Sequence, residues 1–169
     1  VDKFGVDTLI NTGIAGSLDA RIDIGDMVIS TDAVHHDMDA TIFGDAIGQV
    51  PRMDTRTFPA DPHLVELAVK ANEKANPQIH TFTGRVASGD QFISSGEVKA
   101  RIVENFQALC TEMEGAAIAQ VSYLNKVPFV ILRTISDKAD DSATMDYPAF
   151  EKLAIANNVK VMKELVANI

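Results

Sequence analysis

VPFVILRTISD, residues 127–137, is the stretch on which the reading of the fold turns. Phe129, Val130, Ile131 and Leu132 follow one another without a polar break, and a short continuous apolar run of this kind reads as a buried strand. It runs out into Thr134-Ile135-Ser136-Asp137, where hydroxyls and a carboxylate take over. Working outward, residues 8–11 form a second apolar run, ending in a loop over 11–16 that carries Gly13 and Gly16. Met27-Val28-Ile29-Ser30 reads as a further strand introduced by the turn pair Gly25-Asp26, and residues 81–87 as another that ends at Ser88-Gly89-Asp90.

Helical signals fall between these strands. Asp61 as N-cap and Pro62 at the first helical position predict a helix to about Ala75. Ser94-Ser95-Gly96-Glu97 opens another with capping-box spacing. A last helix is predicted from about Tyr147 to Val166, with Leu153, Ala156, Val159, Met162, Leu165 and Val166 at helical spacing. Strands alternating with helices give an α/β class: a three-layer α/β/α domain, residues 1–169, around a mixed, largely parallel central sheet. Residues 35–60 are irregular, and stretches of that length are often functional or packed against a partner. In open α/β sheets ligands collect at the carboxyl ends of strands. Three polar clusters fall there, at residues 11–16, 88–92 and 136–137.

Composition narrows the function. The chain has 169 residues, 46% hydrophobic and 23% charged, enough for one ordered domain with a real core. A net charge of −9 argues against nucleic acid, whose phosphates need a basic face. No apolar run reaches the roughly 20 residues of a membrane span, and the loop over 11–16 is not a dinucleotide fingerprint, since it reads G-x-x-G and not G-x-G-x-x-G. The single Cys110 sits in an apolar stretch and reads as a buried structural thiol. His35-His36-Asp37-x-Asp39 has metal-ligand residue types, but neighbours on an extended chain point to opposite faces, so no metal is expected.

CTEMEGAAIAQV, residues 110–121, is ambiguous on its own. Thr111 and Glu114 fit the S/T-x-x-E capping box at a helix start. The same spacing also puts two carboxylates, Glu112 and Glu114, where they could hold a substrate.

Five segments in register now bear on that choice: INTGIAGSL, HHDMDATIFG, ASGDQFI, TEMEGAAIAQV and VPFVILRTISDKAD. In this order and at these spacings the chain resembles bacterial 5′-methylthioadenosine/S-adenosylhomocysteine nucleosidases, from about Asp7 to the C-terminus. The resemblance implies a nucleoside phosphorylase-type fold, a cytoplasmic homodimer, no cofactor, and hydrolysis of the N-glycosidic bond of methylthioadenosine and S-adenosylhomocysteine to release adenine, a step of methionine salvage. It assigns Asp137 the acid that protonates or hydrogen-bonds the purine N7, general-acid help typically worth 10²–10⁴-fold. Glu114 would grip the ribose hydroxyls while positive charge builds on the anomeric carbon. Phe92 would stack on the purine, Ile93 would bond it through the backbone, and Met113 would pack on the ribose. Arg133 would lie near the attacking water. Ile14, Ala15, Gly16 and Ser136 fall in the substrate pocket, Glu112 flanks it, and Tyr147 stands where the family usually has a Phe. Phe43 and Pro51 would reach the partner subunit's pocket, which would account for the irregular stretch.

The same fold serves phosphorylases, in which the segment matching 11–16 typically starts with Arg and has Ser or Thr at its fourth position. Asn11 and Ile14 occupy those positions here, so the bidentate donor that favours phosphate is absent and water is the better acceptor. Ile14 also departs from the Ser of many nucleosidases. The resemblance further implies a segment of roughly sixty residues ahead of Val1, with a strand and a helix that complete the layers and the glutamate that acts as general base. On that reading the chain is the C-terminal two-thirds to three-quarters of the domain. The alternatives are a purine nucleoside phosphorylase and a catalytically impaired nucleoside-binding fragment.

Overall fold

The computed structural model describes every residue except Asp141 and Ser142, and side chains except over 141–149. Among the described residues six strands are formed: β1 (Leu9–Ser17), β2 (Met27–His35), β3 (Phe58–Pro59), β4 (Thr81–Ser88), β5 (Cys110–Glu112) and β6 (Phe129–Asp137). Four α-helices accompany them: α1 (Pro62–Ala75), α2 (Gly96–Phe106), α3 (Gly115–Asn125) and α4 (Ala143–Val166). The sheet order is β3-β2-β4-β5-β1-β6, and β6 also pairs back onto β2, so the sheet curls round and closes. Pairings β1–β6, β2–β4 and β4–β5 are parallel, and β1–β5, β2–β3 and β2–β6 antiparallel. The mixed, three-layer α/β/α expectation therefore holds.

Period-two alternation sorts the strand side chains into the two cores. Met27 and Ile29 of β2, with Val130 and Leu132 of β6, pack under α1 and α4 beside Leu64, Ala68, Val161 and Leu165. Val28, Phe129 and Ile131 face the other way, against Ala116 and Ala119 of α3. A third cluster, around Val34, Ala87, Ile102 and Phe106, seats α2. The run Phe129–Leu132 is buried as expected, and the burial continues through the polar end, so that all nine residues of β6 are buried.

Four local expectations need correction. Residues 11–16 are not a loop: β1 runs through them, paired to β6 from Leu9↔Phe129 to Ala15↔Ile135. The glycines there serve close approach, since a Cβ on Gly13 would collide with Arg133 Nη1 and one on Gly16 would lie 2.7 Å from Asp137 Oδ1. Second, Cys110–Glu112 is a strand, so α3 begins after the expected capping box. Third, Ser95 is the N-cap of α2 but its hydroxyl makes no cap bond. Fourth, α4 starts at Ala143, and its buried face is Ala154, Asn157, Asn158, Val161 and Leu165. Leu153, Val159 and Val166, expected in the apolar stripe, are exposed. The reason is polar: Asn158 donates to Gly13 O at 2.7 Å and accepts from Thr134 Oγ1 at 3.0 Å, turning that face inward.

Candidate active site

The carboxyl ends of β1, β4, β5 and β6 meet at a cavity of about 380 Å³. From β1 it receives Gly13, Ile14, Ala15 and Gly16; from the β5–α3 junction Thr111, Glu112, Met113 and Glu114; from β6 Arg133, Ser136 and Asp137; and from the segment after β4 Phe92. Ile93 lines a small adjoining recess with Phe92 and Asp137. A larger groove of about 800 Å³ between β1 and α4 is almost wholly apolar and gathers no carboxylate, so it lacks the convergent polar groups of a reaction site.

Asp137 is delivered by the register itself. It lies opposite Gly16, at an irregularity in the β1–β6 ladder, and the missing Cβ of Gly16 leaves room for its carboxylate. Asp137 is buried; its Oδ1 accepts from Ala139 N and its Oδ2 from Ser136 Oγ, each at 2.8 Å. Ala139 adopts the left-handed conformation at φ 50°, a cost non-glycine residues meet where the chain must turn back tightly on a functional group. Gly13 stands beside Arg133 in the same ladder, and here too a glycine admits the functional side chain of β6.

The two glutamates of the β5–α3 junction have different surroundings. Glu114 is the N-cap residue of α3, but its side chain makes no cap bond and is 62% exposed. The helix is capped instead by Glu112, whose oxygens accept from Gly115 N at 2.9 and 2.8 Å and from Glu114 N at 3.2 Å. Glu112 also accepts from Ser88 Oγ and pairs with Arg133 Nη2. Its side chain is 2% exposed. The expected Thr111–Glu114 box is therefore not made: Thr111 lies in β5, and its buried Oγ1 finds no partner. A Cβ on Gly115 would meet Glu112 Oε1 at 2.9 Å, so glycine allows the carboxylate to close on the helix start.

Arg133 is buried, and its Nη2 also donates to Asn11 Oδ1 and lies 3.5 Å from Glu114 Oε2. Phe92 is about half exposed at the cavity and Met113 likewise, apolar surfaces presented where a flat ligand could lie. Two lining residues were not among the expected contacts, Thr111 and Gly13. The signal for Gly13 was the ladder with Arg133, which only strand pairing reveals.

Three expected site residues fall outside this set, two of them expected at the partner subunit's pocket. Phe43, in a 3₁₀ turn over Thr41–Phe43, is 87% exposed and does not line the cavity, and Pro51 is exposed elsewhere in the irregular stretch. Tyr147 lies in α4, with its side chain outside the described residues. The His-Asp segment is engaged locally: His35 bonds Gln120 at 2.9 Å, Asp37 accepts from Asp90 N, and Asp39 from Thr41. Among the described residues no three such side chains are grouped to hold a metal ion. Cys110 is fully buried, and desolvation drives its thiol pKa far up, which suits packing rather than chemistry.

Comparison with known proteins places the chain in a family. The sequence matches the phosphorylase superfamily over residues 1–167. It is 45% identical over 168 residues to a 5′-methylthioadenosine/S-adenosylhomocysteine nucleosidase of Desulfotalea psychrophila, covering 98% of this chain and 70% of that protein. A nucleosidase of the same description from Staphylococcus saprophyticus is 43% identical, with 100% and 73% covered. Among solved structures, the Neisseria meningitidis nucleosidase in complex with methylthio-immucillin-A superposes with a TM-score of 0.93 at 40% identity, covering 99% of this chain and 72% of that one. With this fold, this cavity and these relatives, the chain belongs to the 5′-methylthioadenosine/S-adenosylhomocysteine nucleosidase family of the phosphorylase superfamily.

Proposed function

We propose that the protein hydrolyses the N-glycosidic bond of 5′-methylthioadenosine and S-adenosylhomocysteine, releasing adenine. The observation that carries this reading is one cavity holding a buried carboxyl, Asp137, and an exposed carboxylate, Glu114, with the Phe92 ring beside them. Asp137 donates to the purine N7, so that adenine leaves as a neutral base instead of a poor anionic leaving group. Its two oxygens are aimed by Ser136 Oγ and Ala139 N. Glu114 holds the ribose hydroxyls and stabilises the cationic character of the sugar as the bond breaks. Phe92 stacks on the base, Ile93 and Met113 close the base and sugar sites, and Ile14, Ala15, Gly16 and Ser136 line the floor.

Water is the acceptor. Among the described lining residues Arg133 is the one cation, and it is already paired with Glu112, so a phosphate dianion finds no free positive partner. Asn11, at the position where phosphorylases carry Arg, spends its side-chain oxygen on Arg133. No described carboxylate is assigned to remove the proton of water: four groups donate to Glu112, and Glu114 serves the sugar. The working unit is a cytoplasmic homodimer in which the exposed Phe43 and Pro51 border the partner's pocket. No helix among the described residues is long and apolar enough to cross a membrane.

The test is adenine release from methylthioadenosine in phosphate-free buffer, with the sugar product identified. Free methylthioribose is the expected product. Release that requires phosphate and yields the sugar 1-phosphate would overturn hydrolysis, and failure to bind either nucleoside would overturn the substrate class.

A further inference from the structure

We infer that Glu112 is a positioning residue: the buried counter-ion that keeps Arg133 from neutralising Glu114, and so leaves Glu114 as the working negative charge of the site. This deepens the function proposed above and rests on it. It also gives Glu112 a role that involves no contact with substrate.

Two carboxylates compete for one nitrogen. Arg133 Nη2 bonds Glu112 Oε2 and stands 3.5 Å from Glu114 Oε2, outside ordinary hydrogen-bond length. The competitors are unequal, because the Glu112 side chain is 2% exposed and that of Glu114 62%. A buried pair attracts at a lower effective dielectric than one facing water, so Arg133 belongs to Glu112. Glu112 is itself held by hydrogen bonds from Ser88 Oγ and from the Glu114 and Gly115 amides at the start of α3. The guanidinium is held on its other side by Asn11 Oδ1 and fits against Gly13 only because that residue lacks a Cβ.

The charge count then has a chemical consequence. One cation between two anions leaves one uncompensated negative charge, and the geometry places it on Glu114, at the cavity. A sugar acquiring positive charge is stabilised by an anion whose one nearby cation, at 3.5 Å, is bound more closely by another carboxylate, and that stabilisation grows as the charge develops. Were Glu112 neutral, Arg133 would draw Glu114 onto itself, and the site would meet the cationic sugar with a cancelled pair.

Glu112→Gln tests this, since it keeps the shape and removes the charge. Losing an electrostatic contribution of this kind lowers kcat by on the order of 10²-fold, with KM within about threefold because the effect belongs to the transition state. Adding Asn11→Asp puts a carboxylate back on the same Nη2, and the double variant should regain at least about tenfold of the lost kcat. A Glu112→Gln protein with near-normal kcat, or a folded double variant no better than the single one, would overturn the inference. If Glu112→Gln alone does not fold, the double variant decides: folded and active supports the charge argument, unfolded or inactive ends it. A crystal structure of Glu112→Gln without ligand adds a readout independent of turnover. Glu114 closing into hydrogen-bond contact with Arg133 is expected, and Glu114 staying at its present separation refutes the inference even if the proposed reaction also fails.

Discussion

The starts of α1 and α3 look alike in sequence, each an acidic or hydroxyl residue ahead of an apolar run, yet they are built differently. At α1, Asp61 caps its own helix, accepting from His63 N at 2.9 Å and Leu64 N at 3.0 Å, with Pro62 at the first position. Everything needed lies within four residues. At α3 the cap comes from Glu112 in the strand before the helix, and Glu112 is bound in turn to Ser88 of β4 and Arg133 of β6. One junction is local and serves stability. The other is made by four elements of the fold and frees its true N-cap residue, Glu114, for the cavity. Capping at a functional site is thus delegated to a neighbour so that another carboxylate remains available.

The contrast breaks most severely if the site end of the sheet carries no chemistry. Asp137→Asn keeps an acceptor for Ser136 Oγ or Ala139 N but cannot donate an acidic proton. Adenine release should fall 10²–10⁴-fold, while thermal unfolding shifts by only a few degrees. Near-normal turnover in a folded variant would remove Asp137 from the mechanism and, with it, the distinction between the two ends.

Next in size is the buried pair. Arg133→Met leaves the Glu112 charge buried without its partner, and breaking such a pair costs about 3–5 kcal/mol. Chemical denaturation should show that loss. A change below about 1 kcal/mol would mean that the pair behaves like an exposed one and that α3 is secured as locally as α1.

What could be read in the sequence follows the same division. The β6 strand and Asp61 with its helix were legible because a run or a cap sits within a few positions, whereas Phe92, Glu114 and Asp137, which the fold brings to one cavity, were pointed to only by motifs taken together along the whole chain. The strand character of residues 11–16 was not, because Gly13 and Gly16 look like loop residues until Arg133 and Asp137 are placed beside them. The inward face of α4 was misread for a related reason. Asn157 and Asn158 are polar by type, but Asn158 is buried by its bonds to Gly13 and Thr134, more than a hundred and about twenty positions away in sequence. Propensity and period describe a residue's neighbours along the chain, and these residues are decided by neighbours across it.

The local end gives a smaller prediction. Asp61→Ala removes two cap bonds and should cost about 1 kcal/mol, with adenine release unaltered at a temperature where the protein remains folded. A loss of activity without a matching loss of stability would show that α1 is coupled to the cavity.

The smallest effect tests the border between the two regimes. His36 follows β2, is buried, and its Nε2 has no hydrogen-bond partner in the structure. Burial lowers its pKa, opposed by the nearby charges of Asp37 and Glu112 and reinforced by Arg101. Because the neutral imidazole is the form the fold prefers, native and unfolded chains bind protons equally well above the unfolded pKa, and His36 then contributes nothing to pH dependence. As pH falls below about 6.5 the unfolded chain takes up the proton first, so stability declines. For one such group the loss by pH 6 stays below about 1 kcal/mol. His36→Asn should remove that portion of the decline between pH 7.5 and 6, measured as the difference in urea midpoint at the two pH values. An unchanged difference would place the acid sensitivity elsewhere. A midpoint difference that vanished together with substrate binding would tie His36 to the cavity through Gly89, which packs on its ring and leads into the Phe92 segment.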